Sequence, residues 1–170
     1  MRLFFALWPD QPVREALEAA RVELFPGPVP GRPMRTENLH LTLHFIGQID
    51  DSALDCYRHA AQEVRMQPFE LVLDHAGYFP RPRVVWLGVR EVPSSLKALV
   101  DDLGATLEAC GHRIEARPFL PHLTLLRKVH YFDPSPIRPV SWSVRDFVLV
   151  RSQTLPEGAR YQVIDRWSAS

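Results

Sequence analysis

The chain has 170 residues, and its 20 Lys and Arg residues balance its 20 Asp and Glu residues, so the formal net charge at neutral pH is zero. A balanced charge argues against one large positive field for gripping long nucleic acid, although local basic patches remain. Because 46% of the residues are hydrophobic, the chain can bury a real core, and we predict one domain, residues 1–170, with two closely packed lobes.

Hydrophobic spacing and turn residues divide the chain into strands, helices and loops. In chain order, we predict a strand at 2–7, a helix at 11–25, a loop at 26–33 and a strand at about 38–46. Next come a helix from Asp50 or Asp51 to about Val64, a strand at 69–73, a loop around Gly77 and Pro80, and a strand at 84–89. The remaining elements are a helix from Ser94 or Ser95 to about Cys110, strands at 112–116 and around 122–125, a loop at 133–139, and strands at 144–151 and 160–167.

Several of these strands follow one another through short links, which favours an α+β fold with antiparallel sheets. The string H-L-T-L occurs at 40–43 and again at 122–125, in opposite halves of the chain, and each copy comes after a predicted helix. We therefore expect a bilobal molecule in which two pseudo-symmetric antiparallel-sheet lobes, with outer helices, face each other across a central cleft.

Strand geometry predicts which side chains of the two H-L-T-L copies point into this cleft. Alternate residues of a strand share a face, so His40 and Thr42 point one way and the two leucines of that copy point the other. The second copy repeats the arrangement with His122 and Thr124. We expect the leucines to anchor each strand in the core and the His and Thr side chains to be held rigidly on the open face.

Two imidazoles that face one cleft suit general acid–base catalysis, because an unperturbed His has a pKa near 6.5 and can be neutral or protonated at neutral pH. One ring can take a proton from an attacking water or hydroxyl while the other gives a proton to the leaving oxygen, as in-line displacement at phosphorus requires. The neighbouring Thr hydroxyls can donate hydrogen bonds to phosphate oxygens as negative charge builds. This chemistry needs no covalent intermediate, and we predict that it uses no cofactor.

Two other interpretations compete with this one. A single H-L-T-L is ordinary strand sequence, and a lone His in it is usually structural, but a repeat with matching neighbours in both halves favours a shared function. Paired His residues can also hold a metal, yet a metal site normally needs a third ligand and supporting carboxylates. Neither copy has an adjacent Asp or Glu in the right phase, so we predict no metal here.

The sequence also bears on location and on the state of the cysteines. No run approaches the roughly 20 apolar residues of a membrane span, and the opening M-R-L-F-F-A-L-W-P is too short for a signal peptide. We expect a cytoplasmic monomer with no membrane association and no obligate protein partner. Cys56 and Cys110 match no metal motif and are too few for a disulfide framework, so free thiols are expected.

The segments around the repeat resemble a known family. Paired H-x-[T/S]-x motifs with apolar x are the hallmark of the two-histidine phosphoesterases. Within them, the chain is similar to the bacterial RNA 2′,3′-cyclic phosphodiesterases, also called 2′-5′ RNA ligases. The resemblance covers nearly the whole chain and includes R-L-F-F-A-L, E-N-L-H-L-T-L-H-F-I-G, R-V-V-W-L-G-V, R-P-F-L-P-H-L-T-L-L-R and R-S-Q-T-L-P-E-G-A-R-Y-Q-V-I-D-R-W.

The resemblance implies hydrolysis of a 2′,3′-cyclic phosphate at an RNA end, which leaves a 2′-phosphomonoester. In that scheme His122 accepts a proton from water and His40 donates a proton to the departing 3′ oxygen. Thr42 and Thr124 hold the phosphate oxygens. The same displacement with a ribose hydroxyl in place of water can join RNA ends through a 2′-5′ bond without ATP. The expected partners are RNA ends or nucleotides with a 2′,3′-cyclic phosphate, tRNA fragments among them.

Residues just beyond the motifs are candidates for substrate binding. Arg127 lies on the face opposite Thr124 if its strand stays regular, but a kink would let its guanidinium reach phosphate or stack on a base. The family often has Arg at this position. Phe45 can stack on a base or serve as a core aromatic. His44 is expected on the face of His40, at the rim of the cleft.

Three functions stay open on the residues alone. The first is an enzyme that acts on cyclic phosphate RNA ends, and the second keeps the fold but acts on small cyclic nucleotides, 2′-5′ oligonucleotides or an ADP-ribose cyclic phosphate. The third is a nucleotide- or RNA-binding module without turnover. The loops at 26–36 and 128–140 would decide the substrate. Arg35 and Arg117, each five places before a motif His, either contact substrate or only solvate loop ends.

Overall fold

The computed structural model describes residues 1–169. Its strands are β1 (Arg2–Leu7), β2 (Arg32–Pro33), β3 (Leu41–Gln48), β4 (Phe69–Phe79), β5 (Val84–Gly88), β6 (His122–Arg127), β7 (Ser135–Val144), β8 (Asp146–Leu155) and β9 (Gly158–Ser168). Its helices are α1 (Gln11–Leu24), α2 (Leu54–Gln62) and α3 (Ser94–Leu107). Short 3₁₀ turns lie at Thr36–Asn38, Asp51–Ala53 and Glu108–Cys110.

All strands belong to one antiparallel sheet in the order β7-β4-β5-β6-β3-β1-β8-β9, with β2 paired to β6. The two motif strands, β3 and β6, meet in the middle of the sheet and are paired through Leu41 and Leu123. In this order four strands lie on either side of the junction, and the two-residue β2 adds to the β6 side, so the two halves are pseudo-symmetric. The predicted α+β fold with two antiparallel lobes is confirmed, and the two lobes share one sheet.

The helices cover one face of the sheet and leave the other for the cleft. α1 follows β1 yet packs against β7 of the other lobe, whereas α2 and α3 pack on each other and contact β9 and β3, respectively. The motif leucines point to this helix-covered side, and each is at most 4% exposed. Burial of one such side chain stabilises the fold by about 1.5–3 kcal/mol, so the leucines fix the strands that carry the His and Thr residues.

The structure differs from the predicted elements in three main places, and strand packing and pairing explain each. β4 continues through Gly77 because the indole of Trp86 covers that position, where a Cβ would lie 2.2 Å from the ring. The whole of β7 is missing from the prediction: it begins at Ser135, inside the predicted loop, and it tolerates proline because it is the edge strand of the sheet, where proline costs no ladder hydrogen bond. Residues 112–116 lie outside the sheet, since β3 and β5 already flank β6.

The expectation of free thiols is also wrong. Cys56 and Cys110 form a disulfide with a Cα–Cα distance of 5.8 Å. The bond joins α2 to the 3₁₀ turn after α3, two helices that pack side by side. The cysteines are 54 positions apart in sequence, so their proximity depends on helix packing that spacing alone does not reveal.

None of the helices within residues 1–169 combines the length and apolar character that a membrane crossing requires.

Candidate active site

A cleft of about 340 Å³ opens where the two motif strands meet. This volume lies within the range typical of small-molecule sites. All six residues predicted for the site line this cleft, three from each half of the repeat: His40, Thr42, Phe45, His122, Thr124 and Arg127. The remaining walls come from β1, β8, β9 and the residue after β2, and they include Arg2, Met34, Ser152 and Tyr161.

The two motif histidines are held in the same way. Nδ1 of His40 is 2.7 Å from the carbonyl oxygen of Asn38, and Nδ1 of His122 is 2.9 Å from that of Leu120. A carbonyl only accepts hydrogen bonds, so each Nδ1 carries hydrogen and donates. The neutral ring then keeps its lone pair on Nε2, which is the nitrogen left free to exchange protons. For His40, this Nε2 lies 3.1 Å from the hydroxyl of Thr42.

The two rings have different surroundings. Phe4, Trp8 and Tyr161 enclose His40 at ring-centroid distances of 4.8, 5.7 and 5.2 Å. This burial lowers the pKa of His40 to about 4, against a raising effect of its hydrogen bond to the Asn38 carbonyl. Positive charges at Arg127, Arg14 and His122 lower the pKa further. In the unliganded protein at neutral pH, the His40 imidazole is therefore neutral.

A β-bulge follows each motif and decides where the next side chains point. In β3, the register with β1 shifts so that Leu43 has no partner of its own, and in β6 a shift opposite β5 does the same for Leu125. Each bulge reverses the alternation of faces. As a result Phe45 and Arg127, which occupy equivalent positions of the repeat, both reach the cleft. For Arg127, the kinked alternative of the sequence analysis is the one observed.

The bulge also contradicts the predicted position of His44. This residue points to the helix-covered side instead of the cleft rim, where its Nε2 donates to the carbonyl of Val100 at 2.7 Å. Its Nδ1 is therefore an acceptor, 3.2 Å from Nε2 of His112. Burial lowers the pKa of His44, with the Val100 carbonyl opposing the shift. The wrong prediction came from extending strict alternation past Thr42.

Several residues that the sequence analysis did not select support the site. Arg14 of α1 is buried, donates to the carbonyls of Thr36 and, at 3.1 Å, Leu39, and lies over the ring of Trp8 at 5.2 Å. It thus fixes the segment immediately before His40. An Arg three places before Leu17, within the apolar stripe of α1, was the available signal.

Asn38 and Arg2 complete this surrounding structure. The buried Asn38 amide donates to the carbonyl of Ala159 at 3.1 Å and so ties the same segment to β9. Arg2 lies over the ring of Phe45, 5.6 Å from its centroid, and adds positive charge to the cleft. The part of the chain that the structure describes holds no group of three or more His, Cys, Asp or Glu side chains placed to bind a metal ion.

The model of the 2′-5′ RNA ligase superfamily matches residues 8–154. The chain belongs to this superfamily. The match contains both H-L-T-L motifs and most of the strands that form the cleft. The resemblance drawn from the sequence is thereby confirmed.

Curated and solved members of the superfamily are similar over their full length. The RNA 2′,3′-cyclic phosphodiesterase of Escherichia coli (strain K12) is 37% identical over 98% of this chain and 96% of its own. The RNA 2′,3′-cyclic phosphodiesterase of Thermus thermophilus is 35% identical over 99% of this chain and 90% of its own. A crystal structure of E. coli LigT complexed with 3′-AMP has a TM-score of 0.90 at 36% identity, and the match covers 99% and 98% of the two chains.

Proposed function

We propose that this protein is an RNA 2′,3′-cyclic phosphodiesterase that opens a terminal 2′,3′-cyclic phosphate to a 2′-phosphomonoester. The observation that carries this proposal is the paired site, in which two equally oriented imidazoles line one cleft. The full-length similarity to phosphodiesterases of this activity supports the substrate class. The proposed partners are RNA ends, tRNA fragments among them, and the whole chain is proposed to act as one domain.

The chemistry is an in-line displacement with an acid and a base on opposite sides of phosphorus. Nε2 of His122 takes a proton from water while the water oxygen forms its bond to phosphorus. The bond between phosphorus and the 3′ oxygen breaks, and Nε2–H of His40 gives its proton to that oxygen. The pair thus carries one proton before and one after the step. The ring roles stay the same when a ribose hydroxyl replaces water for 2′-5′ ligation, because that hydroxyl also loses its proton to His122 and the 3′ oxygen again leaves on the His40 side.

The remaining cleft residues bind the reacting phosphate and its nucleotide. The hydroxyls of Thr42 and Thr124 donate to the non-bridging oxygens and stabilise the charge that builds on them. Arg127 supplies a full positive charge and a donor fork for the same oxygens. Phe45, which is 55% exposed, offers a face on which a base can stack.

A proton donor must carry its proton in the complex, although the neutral form of His40 dominates in the unliganded protein. Substrate binding reduces this conflict. Burial is the main cause of the low pKa of His40 and the positive charge of Arg127 adds to it, whereas a phosphate anion beside the ring raises the pKa. We therefore expect the imidazole of His40 to take up its proton when the substrate binds. This coupling restricts the protonated state to occupied sites.

We place the protein in the cytoplasm, where RNA fragments with cyclic phosphate ends are accessible. The Cys56–Cys110 disulfide is uncommon for a reducing compartment. Neither cysteine lines the cleft, so this proposal does not depend on their state.

The experiment is hydrolysis of a short RNA that ends in a 2′,3′-cyclic phosphate, with chelator present and with the product end identified. The parent should form only the 2′-phosphate, and chelator should leave its rate unchanged. His40→Ala and His122→Ala should each lose at least about 100-fold in kcat, because each removes one proton transfer. His59→Ala, on the exposed side of α2, is the matched control and should keep the parental rate.

A parent protein that forms a 3′-phosphate, or that needs a metal ion, would contradict the proposal. Tight nucleotide binding without turnover would instead favour a binding module.

A further inference from the structure

A second groove of about 340 Å³ lies beside the catalytic cleft. One wall is the segment before His40, with Arg35, Glu37 and Asn38, and the other wall is the tip of the β8–β9 hairpin, with Glu157 and Arg160. Ala159 and Tyr161 line both the groove and the cleft, so the two spaces adjoin. Neither the motifs nor the proposed mechanism assigns a role to this groove.

Hydrogen bonds hold both walls in place. The Asn38 amide donates to the Ala159 carbonyl at 3.1 Å across the floor between groove and cleft. Arg32 of β2 donates from Nη2 to the carbonyl of Glu157 at 2.8 Å and pins the hairpin tip from the other side. The turn itself depends on Gly158, whose φ of 123° disfavours any larger residue. The groove is therefore preformed and needs little reordering to bind a ligand.

The groove carries two uncommitted cationic groups. Arg35 and Arg160 are exposed, and within residues 1–169 neither side chain makes a hydrogen bond or an ion pair. Guanidinium groups of this kind match phosphodiester oxygens. Glu37 and Glu157 line the same space and would repel a bare anion, but they can accept hydrogen bonds from a base or a ribose hydroxyl. This mixture suits a nucleotide better than free phosphate.

The direction of the displacement places the rest of the RNA on this side. Water attacks from the His122 side, so the departing 3′ oxygen and the ribose that keeps it lie on the His40 side. The RNA chain continues from the 5′ carbon of that ribose. It must leave the cleft past His40, where the Tyr161 ring packs edge-on against the imidazole at 5.2 Å and the groove begins.

We propose that this groove binds the penultimate nucleotide of the RNA, with Arg35 and Arg160 pairing with the phosphodiester that joins it to the terminal nucleotide. The assignment rests on the proposed function, since it takes the polarity of the bound RNA from the proposed reaction. The protein should therefore prefer longer substrates, so that a dinucleotide with a terminal cyclic phosphate is a better substrate than the mononucleotide.

The test compares adenosine 2′,3′-cyclic phosphate with a dinucleotide that ends in the same group. For the parent, kcat/KM should be higher for the dinucleotide. In the double variant Arg35→Gln, Arg160→Gln this advantage should fall about tenfold, through KM, while hydrolysis of the mononucleotide is unchanged. Arg117→Gln is the matched control, because Arg117 occupies the equivalent place before the second motif and lines neither space.

Equal kcat/KM values for the two substrates in the parent, or equal losses on both substrates in the double variant, would overturn the assignment. A binding measurement separates it from the proposed function. Calorimetry with adenosine 2′-monophosphate and with a dinucleotide ending in a 2′-phosphate should show the same advantage for the dinucleotide, and the same loss in the double variant, even if the parent hydrolyses neither cyclic phosphate. An absent advantage in binding rejects the groove whatever the catalytic result.

Discussion

The two motif imidazoles are held alike, but they are buried to different degrees by their neighbours. Each donates from Nδ1 to the carbonyl two residues earlier in the chain, which leaves Nε2 for proton exchange. Three aromatic rings enclose His40, whereas Phe79 and Trp86 contact His122 edge-on at 5.2 and 6.2 Å. The main consequence at the scale of single residues is that protonating the enclosed ring of His40 costs free energy.

Protonation of His40 should make stability depend on pH. Its folded pKa of about 4 lies below the unfolded value of 6.5, so the folded state binds fewer protons between these values. The contribution of His40 to the free energy of unfolding is fully present above pH 6.5. It is lost as the pH drops towards 4, and the loss amounts to about 3 kcal/mol. Urea unfolding of the parent and of His40→Gln at several pH values should show this difference in slope.

Other histidines with a lowered pKa, such as the half-buried His44, contribute a change of the same sign to both proteins and cancel in the comparison. If the free energy of unfolding depends on pH in the same way in the parent and in His40→Gln, the lowered pKa of His40 is contradicted.

Arg14 should act on catalysis through the position of His40. Arg14→Met removes the donor to the Thr36 and Leu39 carbonyls, so the segment that holds His40 loosens, and we expect kcat to fall by about tenfold with a smaller change in KM. The same change removes a positive charge that lowers the pKa of His40. NMR titration should therefore find a raised His40 pKa, which a merely structural loss elsewhere would not produce.

Arg138→Met is the control, because Arg138 pairs with Glu23 at the far end of α1 and donates to neither the Thr36 nor the Leu39 carbonyl. An unchanged His40 titration in Arg14→Met would rule out this positioning role.

At the scale of elements, the disulfide between α2 and the turn after α3 should add stability. Closing a loop of 54 residues restricts the unfolded chain, and the loop-entropy relation gives about 4 kcal/mol. The double variant Cys56→Ser, Cys110→Ser should unfold at lower denaturant than the oxidised parent. Added reductant should bring the parent to the level of the variant and leave the variant unchanged. If reductant leaves the unfolding midpoint of the parent unchanged, the disulfide does not contribute to stability.

The same scale separates what the sequence could predict from what it could not. The motif leucines and the paired His-x-Thr faces follow from period-two alternation, which holds as far as Thr42 and Thr124. Beyond these two residues, each bulge depends on pairing with the neighbouring strand, β1 or β5, and the residues of the motif strand alone do not predict it. The positions of His44 and Phe45 were therefore beyond a local prediction. The cysteine pair needed the packing of α2 on α3 for the same reason.

At the scale of the whole molecule, a neutral chain concentrates positive charge where its two halves meet. Arg2 and Arg127 line the cleft, whose lining within residues 1–169 includes no Asp or Glu, whereas Arg35 and Arg160 in the groove beside it are balanced by Glu37 and Glu157. Net charge excluded a large basic field but could not reveal this local grouping, which only the pseudo-symmetric sheet assembles. Attraction of this kind acts over about a Debye length, so it favours short anionic ends that enter the cleft.

The central claim is that two imidazoles from opposite lobes divide the acid and base roles of one displacement. The most direct measurement uses an RNA end whose cyclic phosphate has sulfur in place of the 3′ oxygen, because a thiolate leaves without needing a proton. On this substrate His40→Ala should recover to within about tenfold of the parent, and His122→Ala should stay inactive. Recovery of His122→Ala alone, or of neither variant, would contradict the division of roles.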